Sequence, residues 1–203
     1  MGLDNNIEYD VSGYGNNGAR NGTFSWSGDT PRYNVSTYAS GSASTYLSGS
    51  TLPAEAKTVS LWIKCNKTVN SAIFSDKTSG LQIGLLNSLL YINSLASTPG
   101  FTTTHWVNDE WNHVVAINDN GNRSVYINGQ PETQSGASNY YIHNNDNFYL
   151  WKRAYNDSYT YNGALSDLRI YATALSADDV MALYKNAGYV DSDGNVYAYE
   201  MTE

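Results

Sequence analysis

The stretch YNGALSDLRIYATALSADDVMALYKNA (161–187) carries the densest structural information in the chain. A glycine-containing turn leads into a strand read as having alternating apolar residues, Leu165, Leu168 and Ile170. A short turn follows. Ser176 then offers an N-cap hydroxyl, Asp179 completes a capping-box-like pair, and Asp178 adds negative charge to the first turn. Val180, Leu183 and Tyr184 share one face and Gly188 ends the element, which predicts a helix over about 176–187.

Upstream, short apolar-alternating runs separated by Gly, Asn, Asp and Ser recur at close spacing, the pattern of an antiparallel sandwich. In KTVSLWIKC (57–65), Val59, Leu61, Ile63 and Cys65 fall on one face, and Ser60, Trp62 and Lys64 on the other. YASGSASTYL (38–47) reads as strand, polar turn, strand. Segments 72–75, 81–86 and 89–92 read as a meander, with Asn87-Ser88 as a tight turn between the last two. Segments 112–118 and 124–128 form a hairpin closed around Asp119-Asn120-Gly121-Asn122, and Asn128-Gly129 turns the chain again. Segments 147–152 and 165–171 complete the set, and 189–200 reads as a terminal hairpin over Asp193-Gly194. The expectation is all-β: a single domain over 1–203, an antiparallel β-sandwich with one short helix near its C-terminal end.

Composition narrows the partners. Hydrophobic residues make up 41% and charged residues only 15%, so Asn, Ser, Thr, Gly and Tyr must build much of the surface. Eighteen Tyr and five Trp stand against four Phe. Rings with a hydrogen-bonding tip suit wet recognition surfaces, although aromatic residues also favour strands. The net charge of −8, without a Lys/Arg cluster, argues against a nucleic-acid partner, which needs a basic footprint for phosphates. A lone Cys65 excludes an internal disulfide and favours a bacterial, viral or cytosolic origin. No apolar run approaches transmembrane length and no signal-peptide pattern precedes Asp4, so no membrane insertion is expected.

Catalytic patterns are missing. Glycanases built on a jelly roll carry paired carboxylates a few residues apart on one strand, one to attack or activate and one to donate a proton. The Glu residues stand apart at 8, 55, 110, 132, 200 and 203, and no Ser/His/Asp arrangement, HExxH or phosphate loop occurs. His113 alternates with Val115 and Ile117 as a packed sheet residue would, while His105 and His143 lack metal-ligand spacing. DSDGN (191–195) has its Gly in the wrong place for an EF-hand and reads as a hairpin turn. The chain is expected not to be an enzyme.

For ligand binding, WKRAYNDSYTY (151–161) is the richest segment. Sugars stack their C–H faces on aromatic rings while amides and carboxylates take the hydroxyls, and this segment offers both between two strands. Trp151, Tyr155, Asn156, Asp157 and Tyr159 are the predicted contacts, with Trp106 as a further ring; Trp26 and Tyr33 rank behind them.

Three motifs, YDVSGYGNNG (9–18), WNHVVAINDNGNRSVYINGQ (111–130) and the opening stretch, resemble in order and spacing the laminin-G-like branch of the concanavalin A-like lectin/glucanase superfamily. The resemblance implies a jelly roll and often one structural Ca²⁺, held between the N-terminal motif and the strand matching LSDLRIY. Asp10 and Asp167 inherit that role, with Asn16 and Asn17 as amide or carbonyl donors. Where the family commonly has two adjacent acidic residues, this chain has Ser166 and Asp167.

The opening DNNIEYDVSGYGNNG and the closing GNVYAYEMTE look similar to such domains in bacteriophage or prophage tail and other virion structural proteins. That likeness implies a non-catalytic, lectin-like domain binding bacterial surface glycans, in a virion or extracellular setting, and made multimeric through a parent assembly. The alternative is a structural or decoration domain that packs on other virion proteins without binding sugar. A third reading is a degenerate glycoside hydrolase.

Overall fold

Two antiparallel sheets of seven strands each face one another in the computed structural model, which describes residues 7–26, 31, 38–40, 45–51, 56–76, 82–92, 100–135, 147–153, 161–185, 189–190 and 196–197. In chain order the first strands are β1 (Ile7–Glu8), β2 (Gly18–Asn21), β3 (Ser25–Trp26), β4 (Tyr38–Ser40), β5 (Tyr46–Thr51) and β6 (Thr58–Lys64). Then come β7 (Ser71–Asp76), β8 (Gln82–Leu86), β9 (Leu89–Ile92), β10 (Trp111–Asp119), β11 (Asn122–Ile127) and β12 (Gln130–Pro131). The chain continues through β13 (Asn147–Leu150), β14 (Gly163–Tyr171), α1 (Ala177–Lys185), β15 (Tyr189–Val190) and β16 (Val196–Tyr197). One sheet runs β1-β2-β5-β13-β7-β8-β9, the other β12-β11-β10-β6-β14-β4-β3, and β15 pairs with β16.

The mostly-β sandwich with one helix is the architecture expected. The β7–β8–β9 meander forms, and Asn87 and Ser88 both adopt positive φ, at 51° and 63°, as the tight turn between the last two strands requires. Asn120 and Gly121 do the same at 53° and 94° between β10 and β11. Asn128 and Gly129, at 52° and 75°, turn the chain from β11 into β12.

Segments 38–40 and 46–51 are both strands, but β4 joins one sheet and β5 the other. Alternation marks both as half-buried without saying which sheet each completes.

The core lies between the sheets. Val59, Leu61 and Ile63 of β6 meet Ile73, Ile83, Leu85 and Phe148 of the opposite sheet, all essentially inaccessible to water. The other face of β6 is buried as well, because α1 covers it. Ser60 and Trp62 lie beneath the helix, where Tyr184 stacks on Trp62 at 5.9 Å and on His113 at 6.2 Å. His113 also meets the Ser60 hydroxyl, Nε2 to Oγ 2.8 Å, and is the packed sheet residue expected. Val180 drops into a small cluster with Val115 and Ile117 on this same outer side. The helix begins as predicted: the Asp179 carboxylate accepts the Ser176 N–H at 2.9 Å, and the Ser176 hydroxyl accepts the Asp179 N–H at 3.2 Å.

Among the described residues the sheet edges are short. Two-residue β1, β12 and β3 close three of the four edges, and β12 carries Pro131. At the fourth, Leu90 of β9 exchanges backbone hydrogen bonds with Phe101 at 3.0 and 2.7 Å.

Candidate functional site

Strand β14 departs from regularity at one point, and that point builds a crevice. Ser166 pairs with Trp62, yet Arg169 pairs with Ser60, so three steps along β14 match two along β6. The extra residue is a β-bulge, with Asp167 at φ 49° in the left-handed region that aspartate tolerates better than most side chains. The bulge explains why Leu165 and Leu168 are three residues apart while Leu168 and Ile170 are two apart: one inserted residue lets all three face the core. That break in a period of two was the visible signal, and the sequence reading passed over it.

Between the bulged strand and the N-terminal loop lies a crevice of about 710 Å³. Asp167, Arg169 and Tyr171 contribute to one wall, and Tyr9, Asp10, Ser12 and Asn16 to the other. Its floor is the inter-sheet core at Leu47, Phe148, Leu150 and Trp151. The Asp167 carboxylate accepts the Arg169 Nε–H at 2.8 Å.

The N-terminal loop is braced by one side chain. Asp10 Oδ1 accepts the Ser12 N–H at 2.8 Å and Oδ2 accepts the Asn16 N–H at 2.9 Å, while Asn17 Oδ1 accepts the Asp10 N–H at 2.9 Å. These bonds, led by those from Ser12, hold the Asp10 carboxyl below its ordinary value. Gly13 and Gly15, at φ 87° and 75°, make the tight path possible.

The predicted metal residues therefore converge in part. Asp10, Asn16 and Asp167 line the same crevice, and Asn17 braces its rim. Each Asp10 oxygen accepts one backbone N–H and retains lone-pair capacity for a hard cation. Against this, Asp167 is engaged by Arg169, and no cluster of three or more His, Cys, Asp or Glu suited to a metal occurs among the described residues.

The predicted sugar contacts fare differently. Trp151 is 1% exposed and packs edge-on to Phe24 at 5.4 Å, and Trp106 is 5% exposed with its Nε1–H aimed at the Cys65 carbonyl at 3.4 Å. Both are core rings, which corrects the expectation that they offer free faces to a ligand; an indole in a strand-rich sequence reads the same in either place. Trp106 is not part of the crevice, whereas Trp151 contributes to its floor. Tyr155, Asn156, Asp157 and Tyr159 lie outside the described residues, as does Tyr33. Tyr161, at the end of the same segment, is fully buried with its hydroxyl 3.1 Å from the Lys64 carbonyl and 2.9 Å from that of Ala164.

A second carboxylate escaped the sequence reading because nothing near it forms a motif. Glu132 is buried and accepts hydrogen bonds from the Thr102 hydroxyl, from the Thr104 N–H at 3.1 Å and from the His105 N–H at 2.8 Å. His105 Nδ1 lies 3.2 Å from the same carboxylate. Burial alone would raise the Glu132 pKa, but these donors outweigh it and lower the value. Glu132 thus fixes the 101–106 loop. It is not part of the crevice lining.

No curated protein sequence matches the chain. Among solved structures it is similar to domain 4 of AbnA, a GH43 extracellular arabinanase from Geobacillus stearothermophilus, in complex with arabinotriose. That match has a TM-score of 0.66 at 21% identity, covering 89% of this chain and 94% of that one. It is also similar to the binding domain of botulinum neurotoxin DC in complex with SialylT, with a TM-score of 0.63 at 16% identity over 91% of this chain and 51% of that one. A structure of botulinum neurotoxin type C, described as dependent on two ganglioside molecules for cell entry, matches with a TM-score of 0.65 at 17% identity over 90% of this chain and 49% of that one. The chain thus spans about half the length of the neurotoxin binding domains it matches. At these identities the likeness establishes the fold. A family model described as "Concanavalin A-like lectin/glucanases superfamily" matches residues 36–181, well over half of the chain, and the protein belongs to that superfamily.

Proposed function

We propose that the protein is a non-catalytic carbohydrate-binding domain that recognises bacterial surface glycans, within a phage tail or another virion adhesive assembly. The observation that carries the sugar reading is the crevice between the braced N-terminal loop and the bulged β14, which sets aromatic rings beside carboxylate, amide and hydroxyl groups. Fold neighbours that are themselves saccharide complexes support it. Tyr155, Asn156, Asp157 and Tyr159 remain candidate contacts from the sequence. The virion setting rests on the resemblance of the two chain ends.

The non-catalytic reading rests on the carboxylates of the crevice. A glycosidase acid needs a raised pKa, yet Asp10 is pushed down by its hydrogen bonds, first from the Ser12 side chain and then from the Ser12 and Asn16 amides. One structural calcium at Asp10 and Asp167, with Asn16 and Asn17 beside them, is part of the proposal. Millimolar Ca²⁺ then raises the melting temperature of the wild type and leaves Asp167→Ala unmoved. An equal shift in both proteins removes the metal.

A second reading, a decoration domain binding other virion proteins, has one observation in its favour. Val69 and Val107 are both about half exposed on loops tied together by the Lys67 N–H to Asn108 Oδ1 bond at 3.0 Å. A bacterial and mammalian glycan array, run with calcium and again with EDTA, separates the two readings. Binding to a defined glycan class supports the lectin; silence from folded protein in both conditions overturns it in favour of assembly.

A further inference from the structure

The N-terminal loop holds three of the five large hydrophobic side chains that the described residues leave exposed. Of the large hydrophobic side chains exposed there, Val11 at 98%, Tyr14 at 86% and Tyr9 at 59% fall within six consecutive positions. A loop of loose chain would present such groups by accident. This one does not, because Asp10 closes it on the Ser12 and Asn16 amides, and Asn17 closes it on Asp10. The rings are therefore carried on a preset backbone, and a ligand meeting them has less ordering entropy to overcome.

The same loop is one wall of the crevice, so Tyr9 lies at its rim, with Asp167 and Arg169 on the opposite wall. Tyr9 at the rim with polar groups across from it, and Tyr14 exposed on the same loop outside the lining, match the amphipathic faces of sugar rings that extend from the crevice onto the loop. The charges around the crevice select further. Glu8 and Arg20 approach to 3.9 Å and Asp167 and Arg169 to 2.8 Å, so both guanidiniums already face carboxylates, and Asp10 adds a further negative charge. A carboxylated sugar entering here would meet net repulsion, because the lining sets Glu8, Asp10 and Asp167 against Arg169 alone.

We infer that Tyr9 and Tyr14 form the aromatic platform of the sugar site and that the crevice beside them takes neutral sugar residues and disfavours anionic ones. This rests on the carbohydrate-binding reading above and moves its centre from the 151–161 segment to the 9–17 loop.

The test uses the full chain in EDTA, so that no added cation changes the local charge. The probes are arabinotriose, maltotriose, chitotriose and 3′-sialyllactose, alongside the array, with affinities by calorimetry. The expected result is binding to at least one neutral glycan and weaker or no binding to its sialylated or uronate counterpart. Tyr14→Ala and Tyr9→Ala should each weaken that binding roughly ten-fold, Tyr14→Phe should retain most of it, and unfolding midpoints should stay at the wild-type value. If a glycan binds but neither alanine variant changes its affinity, the platform is wrong while the lectin reading stands. Preference for the anionic member of a pair overturns the selectivity. Absence of binding to every glycan, with or without calcium, overturns both.

Discussion

At the N-terminal loop Asp10 gathers two backbone N–H groups in the open, and behind the 101–106 loop Glu132 gathers two in the core. Both carboxylates are held below their ordinary pKa by the donors they collect. Their surroundings give the same chemistry different consequences. Glu132 is buried, so its bonds are structural necessities; Asp10 is half-buried at the crevice wall, where water reaches the donors it gathers, so its bonds choose one loop shape among many. One loop is closed, the other displayed.

The largest expected effect lies on the closed side. Glu132→Ala strands the Thr104 and His105 amides and should cost on the order of 3 kcal/mol in denaturant unfolding. A loss below about 1 kcal/mol would show that the loop rearranges freely and erase the contrast with Asp10.

Acid is the next lever. A carboxyl with a depressed folded-state pKa contributes stability above its unfolded value, near 4.5 for Glu132, and loses it as the pH falls through the folded value. The gap between wild type and Glu132→Gln should therefore be widest at neutral pH and shrink as the solution is acidified below that unfolded value. A gap independent of pH would assign the Glu132 effect to packing alone.

On the displayed side, Asp10→Ala should cost only about 1 kcal/mol, as for loss of an exposed side-chain cap. Amide exchange at Ser12 and Asn16 should nonetheless accelerate well beyond that of the sheet, because the brace is gone. Protection that survives the substitution would mean the glycines and neighbours hold the loop by themselves. Smallest of all is His105→Ala: its ring is partly exposed and its contact with Glu132 is ionic only when protonated, so a change of a few tenths of a kcal/mol is expected.

The parts of this fold legible in sequence are those governed by local rules. The Asn-Gly turns at 120–121 and 128–129 demand positive φ, and the Ser176–Asp179 cap is written in four residues. Asp10 and Asp167 could be nominated from a resemblance, and they do line one crevice. What stayed hidden depends on distant partners. Nothing local assigns β4 and β5 to different sheets. Trp62 and Ser60 looked outward until α1 was laid across them. Trp151 and Trp106 carry the same dual chemistry whether they face sugar or core, so only burial separates the cases. Tyr9 and Tyr14 carry no local mark that separates an exposed ring from a strand ring, so only their exposure distinguishes them.

The short sheet margins have a consequence for copy number. A sandwich displayed many times at high local concentration risks zipping to its neighbours, strand on strand, into open-ended polymers. Among the described residues, two-residue β1, β3 and β12, the proline in β12 and the Phe101 segment capping β9 leave little ladder to extend. Copies crowded together would then remain separate units, and any avidity would come from side-chain recognition at each one rather than from fusion of their backbones.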